Sequence, residues 1–561
     1  MTADRDGTTR ILIPAERQPP LPVDRFIRDE APDEEAVPLD VLFVGAGPAG
    51  LAGAIELARL VREDAESGGG LGDLEIGVLE KAEALGEHCL SGAVVDPGPF
   101  HELFPGVAAE ELPLRGRVSR DRVYLLMRRG KIRVPTPPTM RNHGHHVASI
   151  CEIVRWLGER AEALGVNVFT GFPADALLMR EGRVVGVRTA AAGLGRDGEP
   201  GSGYMPPTDL AARVTVLAEG SRGPLAQAYL AREEIGSANP QIYALGVKEL
   251  WRVPRPLEAV VHTLGYPLPR DAFGGSFMYP MADDLVSLGL VVGMDYRDAS
   301  LDVHAALQRL KEHPLFRAVL EGGEMIEWGA KTIPEGGYHS LPERLHGDGL
   351  LLVGDAAGFV EVSSLKGIHY AMTSGMLAAR ALFAALKRGG DVAAAAELAA
   401  YDALVRDSEI IRDLRRRRNM RLGFKSGFYA GGLKAVLATL TGGRLPAGRI
   451  QVEEDAREAR RVGEAEPFRP DGRRTFSKVD AVFRSGNTTR DDIPSHLLPP
   501  GEVTPEFAAF YAHMCPAGVY EWSDGTLVVN APNCVDCRAT DVVGPRWSPR
   551  EGGSGPSYKR M

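Results

Sequence analysis

The sequence is poor in cysteine and has no long apolar segment. Only five of its 561 residues are cysteines, which is too few for a disulfide scaffold in a chain of this length. No apolar run of about 18 residues is free of charges and glycines, so a membrane-spanning helix is not predicted. Residues 1–39 are charged and proline-rich and lack the apolar core of a signal peptide. We therefore expect an intracellular protein.

The chain also lacks an excess of positive charge. It has 65 lysines and arginines against 75 aspartates and glutamates, which gives a formal net charge of −10. Nucleic-acid binding usually needs a basic surface, so the composition does not support a nucleic-acid partner. Charged residues make up 25% and apolar residues 44% of the chain, as in ordinary globular proteins. The length allows two or three domains with cores of their own.

A short apolar run ends in the glycine-rich segment Gly45–Gly50, which has the G-x-G-x-x-G spacing. Gly45 would permit a tight turn, Gly47 would let the backbone approach a pyrophosphate, and Gly50 would let the next helix pack closely on the strand. The following residues, Leu51–Leu60, favour a helix whose N-terminus would face the phosphates. The context of strand, turn and helix predicts a dinucleotide-binding site.

Three further strand ends complete this predicted site. Glu80 follows the predicted strand Leu74–Leu79 and would bind the ribose of the dinucleotide, although it could also be an ordinary exposed carboxylate. Asp355 follows another apolar strand in a Gly-Asp segment that resembles flavoproteins of the glutathione-reductase type, where this aspartate contacts the ribitol of the flavin. Gly220 follows the predicted strand Val214–Ala218 in a segment similar to a third signature of those proteins. The resemblance implies FAD rather than NAD.

A second match to the glycine pattern, at 193–198, precedes more glycines and a proline instead of a helix, so we predict a hairpin loop there. Short strands between about 236 and 335 predict a β-rich domain inserted into the dinucleotide-binding domain.

Two other segments leave alternatives open. Residues 85–104 could be a packed loop or could present apolar side chains to lipid. The segment Phe428–Leu440 follows four arginines and could be a core helix or a helix in the membrane interface.

The C-terminal region carries the cysteines with the most informative spacing. Cys515 precedes a proline, and Cys534 and Cys537 begin a C-x-x-C-x-x-C pattern that is typical of 4Fe–4S proteins. Thr540 occupies the third position of this pattern. The possibilities are a 4Fe–4S cluster with an oxygen ligand from Thr540, Asp541 or water, a 3Fe–4S cluster, an empty site, or a three-cysteine zinc site. The remaining two cysteines are expected to be buried, inert thiols.

From about residue 40 onward the chain resembles the electron transfer flavoprotein–ubiquinone oxidoreductase family. Ten motifs carry this resemblance, and they include LSGAVVDPG (Leu90–Gly98), GVKELW (Gly246–Trp251), GGSFMYP (Gly274–Pro280), KGIHYAMTSG (Lys366–Gly375), CPAGVYE (Cys515–Glu521) and NCVDC (Asn533–Cys537). The resemblance implies an α/β protein with a glutathione-reductase-type FAD-binding fold, an inserted β-rich quinone-binding domain and a C-terminal ferredoxin-like iron–sulfur domain.

The resemblance also implies roles for particular residues. The quinone contacts of the family fall on Gly274 and Gly275. Its membrane-inserted surfaces fall on about 85–106 and 428–443. The cluster ligands carry over to Cys515, Cys534 and Cys537, and the fourth cysteine of the family falls on Thr540. The expected divisions are a tail at 1–38, the FAD-binding domain at 39–235 and 336–420, the quinone-binding domain at 236–335, membrane-associated helices at 421–450 and the ferredoxin-like domain at 451–561.

The implied activity is an oxidoreductase that passes electrons from reduced electron transfer flavoprotein through FAD and an iron–sulfur cluster to ubiquinone or another quinone. The expected location is the cytoplasmic face of a bacterial inner membrane, with the protein bound to one side of the bilayer. Because the cofactors supply the chemistry, we expect no general acid or base in the protein, and we expect His369 to serve packing or hydrogen bonding. The alternative is a related FAD-dependent enzyme, similar to geranylgeranyl reductases, with a degenerate iron–sulfur domain.

Overall fold

Two large β-sheets form the framework of the protein, and the computed structural model describes residues 10–282 and 284–561. The first is a nine-stranded sheet whose centre is parallel. Parallel sheets are covered on both faces, and the inner parts of these strands, such as 41–44, 76–79 and 350–352, are accordingly apolar and buried. In spatial order the strands are Ile27–Arg28, Ala174–Arg180, Arg183–Thr189, Asp209–Leu217, Val37–Val44, Ile76–Leu79 and Asn167–Phe169, with Leu350–Leu352 beside Asp209–Leu217 and His346–Gly347 beside Leu350–Leu352.

Two long helices, Pro48–Glu66 and Ile368–Arg388, pack against each other over the nine-stranded sheet. Gly53 and Gly375 allow this close contact, because a Cβ atom on Gly53 would lie 3.0 Å from the carbonyl oxygen of Gly375. A buried carboxylate, Glu56, accepts a hydrogen bond from Arg380 across the helix pair at 2.7 Å. This packing brings the chain after residue 350 back to the glycine-rich loop.

The second sheet has seven strands and is antiparallel except for one pair. Its strands, in spatial order, are Glu324–Pro334, Tyr243–Arg252, Leu285–Gly293, Gly274–Pro280, Val260–Gly265, Asp121–Leu126 and Lys131–Val134. The predicted β-rich insertion at 236–335 is therefore present, but the sequence-based boundary leaves out the last two strands. These two strands belong to the sheet because Asp121–Leu126 pairs in parallel with Val260–Gly265 and Lys131–Val134 pairs with Asp121–Leu126. The first pair joins segments more than a hundred residues apart, and no local sequence pattern predicts such a contact.

Smaller elements surround the two sheets. The remaining helices are Val23–Phe26, Gly98–Leu103, Ile150–Ala163, Pro224–Arg232, Val303–Lys311, Pro314–Leu320, Ala395–Asp407, Glu409–Arg417, Phe428–Leu440, Lys478–Phe483, Pro505–Met514 and Ala539–Val543. Within the described part of the chain, five two-stranded ribbons pair Ile11–Leu12 with Arg460–Arg461, Val94–Val95 with His146–Val147, Ala192–Leu194 with Pro200–Met205, Leu497–Leu498 with Arg546–Trp547, and Tyr520–Ser523 with Thr526–Val529. The third ribbon confirms the predicted hairpin at 193–198.

The N-terminal segment is packed onto the rest of the protein from residue 10 onward. Ile11–Leu12 pairs with Arg460–Arg461, Ile27–Arg28 forms the edge of the nine-stranded sheet, and Phe26 is fully buried. The prediction of a tail over 1–38 is therefore wrong for residues 10–38. Apolar side chains between the prolines, such as Phe26, pack against the rest of the protein and hold this segment in place. Residues 1–9 lie outside the described part of the chain.

Candidate flavin and iron–sulfur site

A cavity of about 340 Å³ lies between the two sheets, and we call it the central cavity. One wall is the glycine-rich loop with the strand ends beside it. The opposite wall is formed by the seven-stranded sheet, including Gly246–Lys248, Phe277, Tyr279 and Lys331–Ile333. Arg538, Trp547 and Pro549 close one end. All three predicted domains therefore contribute to one cavity.

The glycine-rich loop has the geometry that the sequence predicts. Gly45 has φ +109°, and a Cβ atom there would lie 2.5 Å from the carbonyl oxygen of Ala218. A Cβ atom on Gly50 would lie 2.1 Å from the carbonyl oxygen of Gly45, whereas Gly47 faces open space. The helix Pro48–Glu66 begins directly after the loop, and Gly47 and Pro48 line the central cavity. This arrangement suits a bound pyrophosphate at the helix N-terminus.

The other predicted nucleotide-binding residues also line the central cavity. Glu80 follows the strand Ile76–Leu79, and its carboxylate accepts hydrogen bonds from the backbone N–H groups of Ala46 at 3.1 Å and Ala82 at 2.9 Å. Gly220 lies at the end of the strand Asp209–Leu217. Asp355 stands in a turn of 3₁₀ helix, and burial raises the pKa of its carboxyl group to about 6. The structure thus brings four sequence segments together around one cavity.

Four buried or half-buried lysines in the wall of the cavity were not predicted. Burial lowers the pKa values of Lys81, Lys248 and Lys366 to about 8, and it lowers the pKa of Lys331 as well. Lys248 donates to the carbonyl oxygen of Ser91 at 2.7 Å. Buried cations are costly unless an anion compensates them; Asp536 pairs with Lys81, and the other three lysines make the cavity lining complementary to an anionic ligand. The sequence contains a signal for two of these lysines, because Lys248 and Lys331 each stand within a largely apolar strand.

The three cysteines at 515, 534 and 537 are buried in one core. Backbone N–H groups point at their sulfur atoms, from Ala517 and Val519 to Cys515, from Asp536 to Cys534 and from Ala539 to Cys537. Burial raises the pKa of Cys534 to about 12 and those of the other two thiols also. A thiolate here therefore needs a positive partner, which iron would supply, and N–H···S bonds are a usual feature of iron–sulfur sites.

The surroundings of these cysteines also fit a cluster. The hydroxyl of Tyr520 lies close to all three thiols and beside Thr540, and within the described residues it has no hydrogen-bond partner of good geometry. An orphaned hydroxyl among three thiols is explained when cluster sulfur occupies the space between them. The residues present thus fit an iron–sulfur cluster with three cysteine ligands.

The two candidate oxygen ligands after Cys537 differ in availability. The carboxylate of Asp541 accepts hydrogen bonds from Arg222 Nε at 2.9 Å and from Gln227 Nε2 at 3.0 Å. Thr540 is buried in the first turn of the helix Ala539–Val543 and carries no such ion pair. Because breaking a buried ion pair is expensive, Asp541 is held away from a metal.

The predicted quinone contacts lie outside the lining of the central cavity, as far as the structure describes it. Gly274 and Gly275 begin the strand Gly274–Pro280, whose later residues Phe277 and Tyr279 do line it. Phe273, just before them, packs against Phe424 with ring centroids 5.1 Å apart. The two glycines thus lie between the cavity and the segment that leads to the helix Phe428–Leu440.

The helix Phe428–Leu440, here called the exposed helix, presents an apolar face. Tyr429, Leu433 and Leu440 are 71%, 63% and 77% exposed, and Val436 is also exposed.

The segment 85–106, which was also predicted to face lipid, is packed against the protein instead. Val94, Val95 and Phe100 are buried, and Phe104 packs against Trp156 with ring centroids 4.7 Å apart. That part of the membrane prediction is wrong for these four side chains, because Val94 and Val95 pair with Val147 and His146 and the two phenylalanines lie beside Trp156.

No helix among residues 10–282 and 284–561 combines the length and the apolar character needed to cross a bilayer.

Fold and site together define an FAD-dependent oxidoreductase with an iron–sulfur domain. Residues 243–333 match the family described as ETF-QO, ubiquinone-binding, and residues 472–559 match the family described as electron transfer flavoprotein-ubiquinone oxidoreductase, 4Fe-4S. The chain belongs to the electron transfer flavoprotein–ubiquinone oxidoreductase family. This membership confirms the resemblance on which the sequence-based predictions of cofactors and partners depend.

Curated relatives and a solved structure agree with this assignment. The mitochondrial enzyme of Oryza sativa subsp. japonica, named electron transfer flavoprotein-ubiquinone oxidoreductase, is 37% identical, with 94% of each chain covered. A probable electron transfer flavoprotein-ubiquinone oxidoreductase from Acinetobacter baylyi is 36% identical over 94% of this chain and 99% of the relative. A geranylgeranyl bacteriochlorophyll reductase-like protein of Thermoplasma acidophilum superimposes with a TM-score of 0.55 at 19% identity, covering 74% of this chain and 94% of that one. This last similarity concerns the fold alone.

Proposed function

We propose that the protein transfers electrons from reduced electron transfer flavoprotein, through FAD and an iron–sulfur cluster, to ubiquinone or another quinone in the membrane. The observation that carries this proposal is the central cavity, whose wall combines the glycine-rich loop, the seven-stranded sheet and the cysteine-bearing domain. FAD, when bound, mediates between a donor of single electrons and a quinone that accepts two. The geranylgeranyl-reductase-like alternative has no observation in its favour beyond the fold.

The proposed site residues fall into three groups. We propose that Gly45, Gly47, Gly50, Glu80, Gly220 and Asp355 bind FAD, that Gly274 and Gly275 contact the quinone, and that Cys515, Cys534 and Cys537 hold the cluster. The lysines of the cavity wall would neutralise the anionic flavin cofactor. We also propose the domain boundaries given above, with Asp121–Val134 added to the quinone-binding domain and residues 10–38 distributed over the domains on which they pack.

No residue is proposed as a general acid or base. His369 lies near the cavity, but burial lowers its pKa to about 4, which suits a neutral ring packed against Tyr370. A neutral histidine with so low a pKa is a poor proton donor near pH 7.

The proposed activity is tested by mixing the purified protein with reduced electron transfer flavoprotein and a water-soluble quinone analogue. The oxidation of the flavoprotein and the reduction of the quinone are followed together. We expect turnover that depends on all three components. Absence of turnover with every quinone tried, by protein that contains FAD and iron, would overturn the proposal.

We propose that the protein binds the cytoplasmic face of a bacterial inner membrane through the exposed helix. Exposed Arg415 and Arg416 stand shortly before this helix, and the backbone of Arg416 lies against Gly443 just after it. Basic residues next to an apolar helix face are suited to a surface of anionic lipid.

Replacing Leu433 and Leu440 by aspartate is expected to weaken vesicle binding about a hundredfold, because burial of two leucine side chains contributes about 3 kcal/mol or more. The measurement is co-sedimentation with vesicles that contain anionic lipid. Phe483→Asp is the matched control, since Phe483 is an exposed apolar residue of another helix. Equal loss of binding in the control, or full binding by the double variant, would contradict the proposal.

Thr540→Cys is expected to supply a fourth thiolate and to slow the loss of iron from the cluster in air. The reason is that an oxygen ligand or an open iron site is exchanged more readily than a buried thiolate. Iron per FAD is measured during exposure to air, together with the EPR spectrum. Thr526→Cys, which adds a thiol at an exposed position of the same domain, serves as control. Identical iron loss and spectra in the wild type and in Thr540→Cys would show that position 540 does not adjoin the cluster.

A further inference from the structure

Asp536 is a buried carboxylate inside the loop that joins two of the proposed cluster ligands. It lies between Cys534 and Cys537 and is about 1% exposed. Its backbone has φ +53°, a conformation that aspartate and asparagine adopt more readily than most residues. A charged residue at such a position is unusual and calls for a compensating environment.

The two oxygen atoms of this carboxylate face different parts of the protein. Oδ2 lies 2.5 Å from Nζ of Lys81 and 3.8 Å from Nδ1 of His88, and both of these residues line the central cavity. Oδ1 lies 2.9 Å from a guanidinium nitrogen of Arg550 and 3.8 Å from Sγ of Cys534. One carboxylate therefore connects the wall of the flavin cavity with a cluster ligand.

The main chain of Asp536 also connects the cavity lining with the loop that carries the cysteines. Lys331, in the cavity wall formed by the seven-stranded sheet, donates from Nζ to the carbonyl oxygen of Asp536 at 3.3 Å. Arg550 also donates to the carbonyl oxygen of Cys534 at 3.1 Å. The loop is thus tied to two separate walls of the cavity, which a single structural ion pair would not require.

We propose that Asp536 is a positioning residue that sets the electrostatic relation between the flavin site and the cluster. This proposal rests on the proposed function. The carboxylate places one negative charge between the flavin cavity and the proposed cluster ligands. Charges act strongly there because the carboxylate is buried. A negative charge opposes the addition of an electron, so Asp536 lowers the reduction potentials of both centres. It also fixes the loop at the cavity lining through Lys81 and Lys331, the place where a bound flavin and a bound cluster would approach each other.

Asp536→Asn is the direct test, because asparagine fits the same backbone conformation, keeps one acceptor oxygen and removes the charge. We expect the reduction potentials of both the cluster and the flavin to become more positive. The cluster potential is measured by EPR and the flavin potential by visible absorbance, during one anaerobic redox titration of the holoprotein. Asp524→Asn, at an exposed turn of the same domain, is the matched control and should leave both potentials unchanged.

A second variant keeps the test decisive if the first does not fold. Lys81→Gln removes the main cation at the cavity side of Asp536, and it should move both potentials in the negative direction. A shift of the cluster alone, a shift of the flavin alone, or no shift in a folded variant would overturn the proposal. Turnover of the wild type with reduced electron transfer flavoprotein is measured separately, so a failure of the proposed function is distinguished from a failure of this inference.

Discussion

Replacing Cys537 by alanine is expected to remove the iron–sulfur cluster and to leave FAD bound. Cys537 is buried, and its sulfur accepts a hydrogen bond from the N–H group of Ala539. With this thiolate lost, two cysteines remain, which cannot hold a cubane or a three-iron cluster. The glycine-rich loop and the strand ends beside it lie in the nine-stranded sheet, away from the cysteine loop, so we expect FAD to stay bound although Arg538 lines the same cavity. We expect iron and acid-labile sulfide to fall nearly to zero while the flavin absorbance persists.

Cys151→Ala is the matched control for this experiment. Cys151 is also fully buried, but its sulfur contacts the carbonyl oxygens of Cys89 and Met561 and lies in the core of the FAD-binding part. The control variant should keep its full iron content. Iron at the wild-type level in Cys537→Ala would contradict the assignment of this cysteine, and loss of FAD together with iron would show that the two sites do not fold independently.

The residues that sequence alone predicts most directly are those whose predicted role is local. Gly45 lies in the turn and Gly50 in the first turn of the helix Pro48–Glu66, and their spacing follows from the backbone geometry of a strand, turn and helix. Glu80 is likewise placed by the end of its strand. The cysteine pattern gives the cluster loop for the same reason, because two residues between ligands let one loop wrap a cluster.

The residues that sequence alone misses depend on contacts between distant segments. Lys81, Lys248, Lys331 and Lys366 come from four segments and line one cavity only after the sheets have packed. Val94 and Phe100 have the apolar character of a lipid-facing loop, but they are core residues because Val94 pairs with Val147 and Phe100 lies beside Trp156. Periodicity describes how apolar a surface is, but it does not identify what covers that surface.

The oxygen ligands after Cys537 show the same limit. The spacing offers both Thr540, at the third position of the pattern, and Asp541, directly after it. Arg222 and Gln227 bind the carboxylate of Asp541, which favours Thr540 as the candidate ligand, and neither residue is near Asp541 in the sequence.

Gly50→Ala is expected to weaken FAD binding about ten- to a hundredfold, so that the protein is purified with little flavin. The new methyl group would lie 2.1 Å from the carbonyl oxygen of Gly45 and 3.3 Å from Cβ of Ala218. Both neighbours are part of the loop or the strand end, so relief requires the helix Pro48–Glu66 to move away from the site of the pyrophosphate. Overpacking of this kind costs about 1–3 kcal/mol.

The measurement for Gly50→Ala is the FAD content per chain after purification, followed by titration of the apoprotein with FAD. Gly70→Ala is the matched control, since Gly70 faces open space in an exposed loop after the same helix. Circular dichroism of both variants separates a local displacement from unfolding. Full flavin content in Gly50→Ala would mean that the loop tolerates a side chain at its closest contact, and the placement of the pyrophosphate at this helix N-terminus would then be wrong.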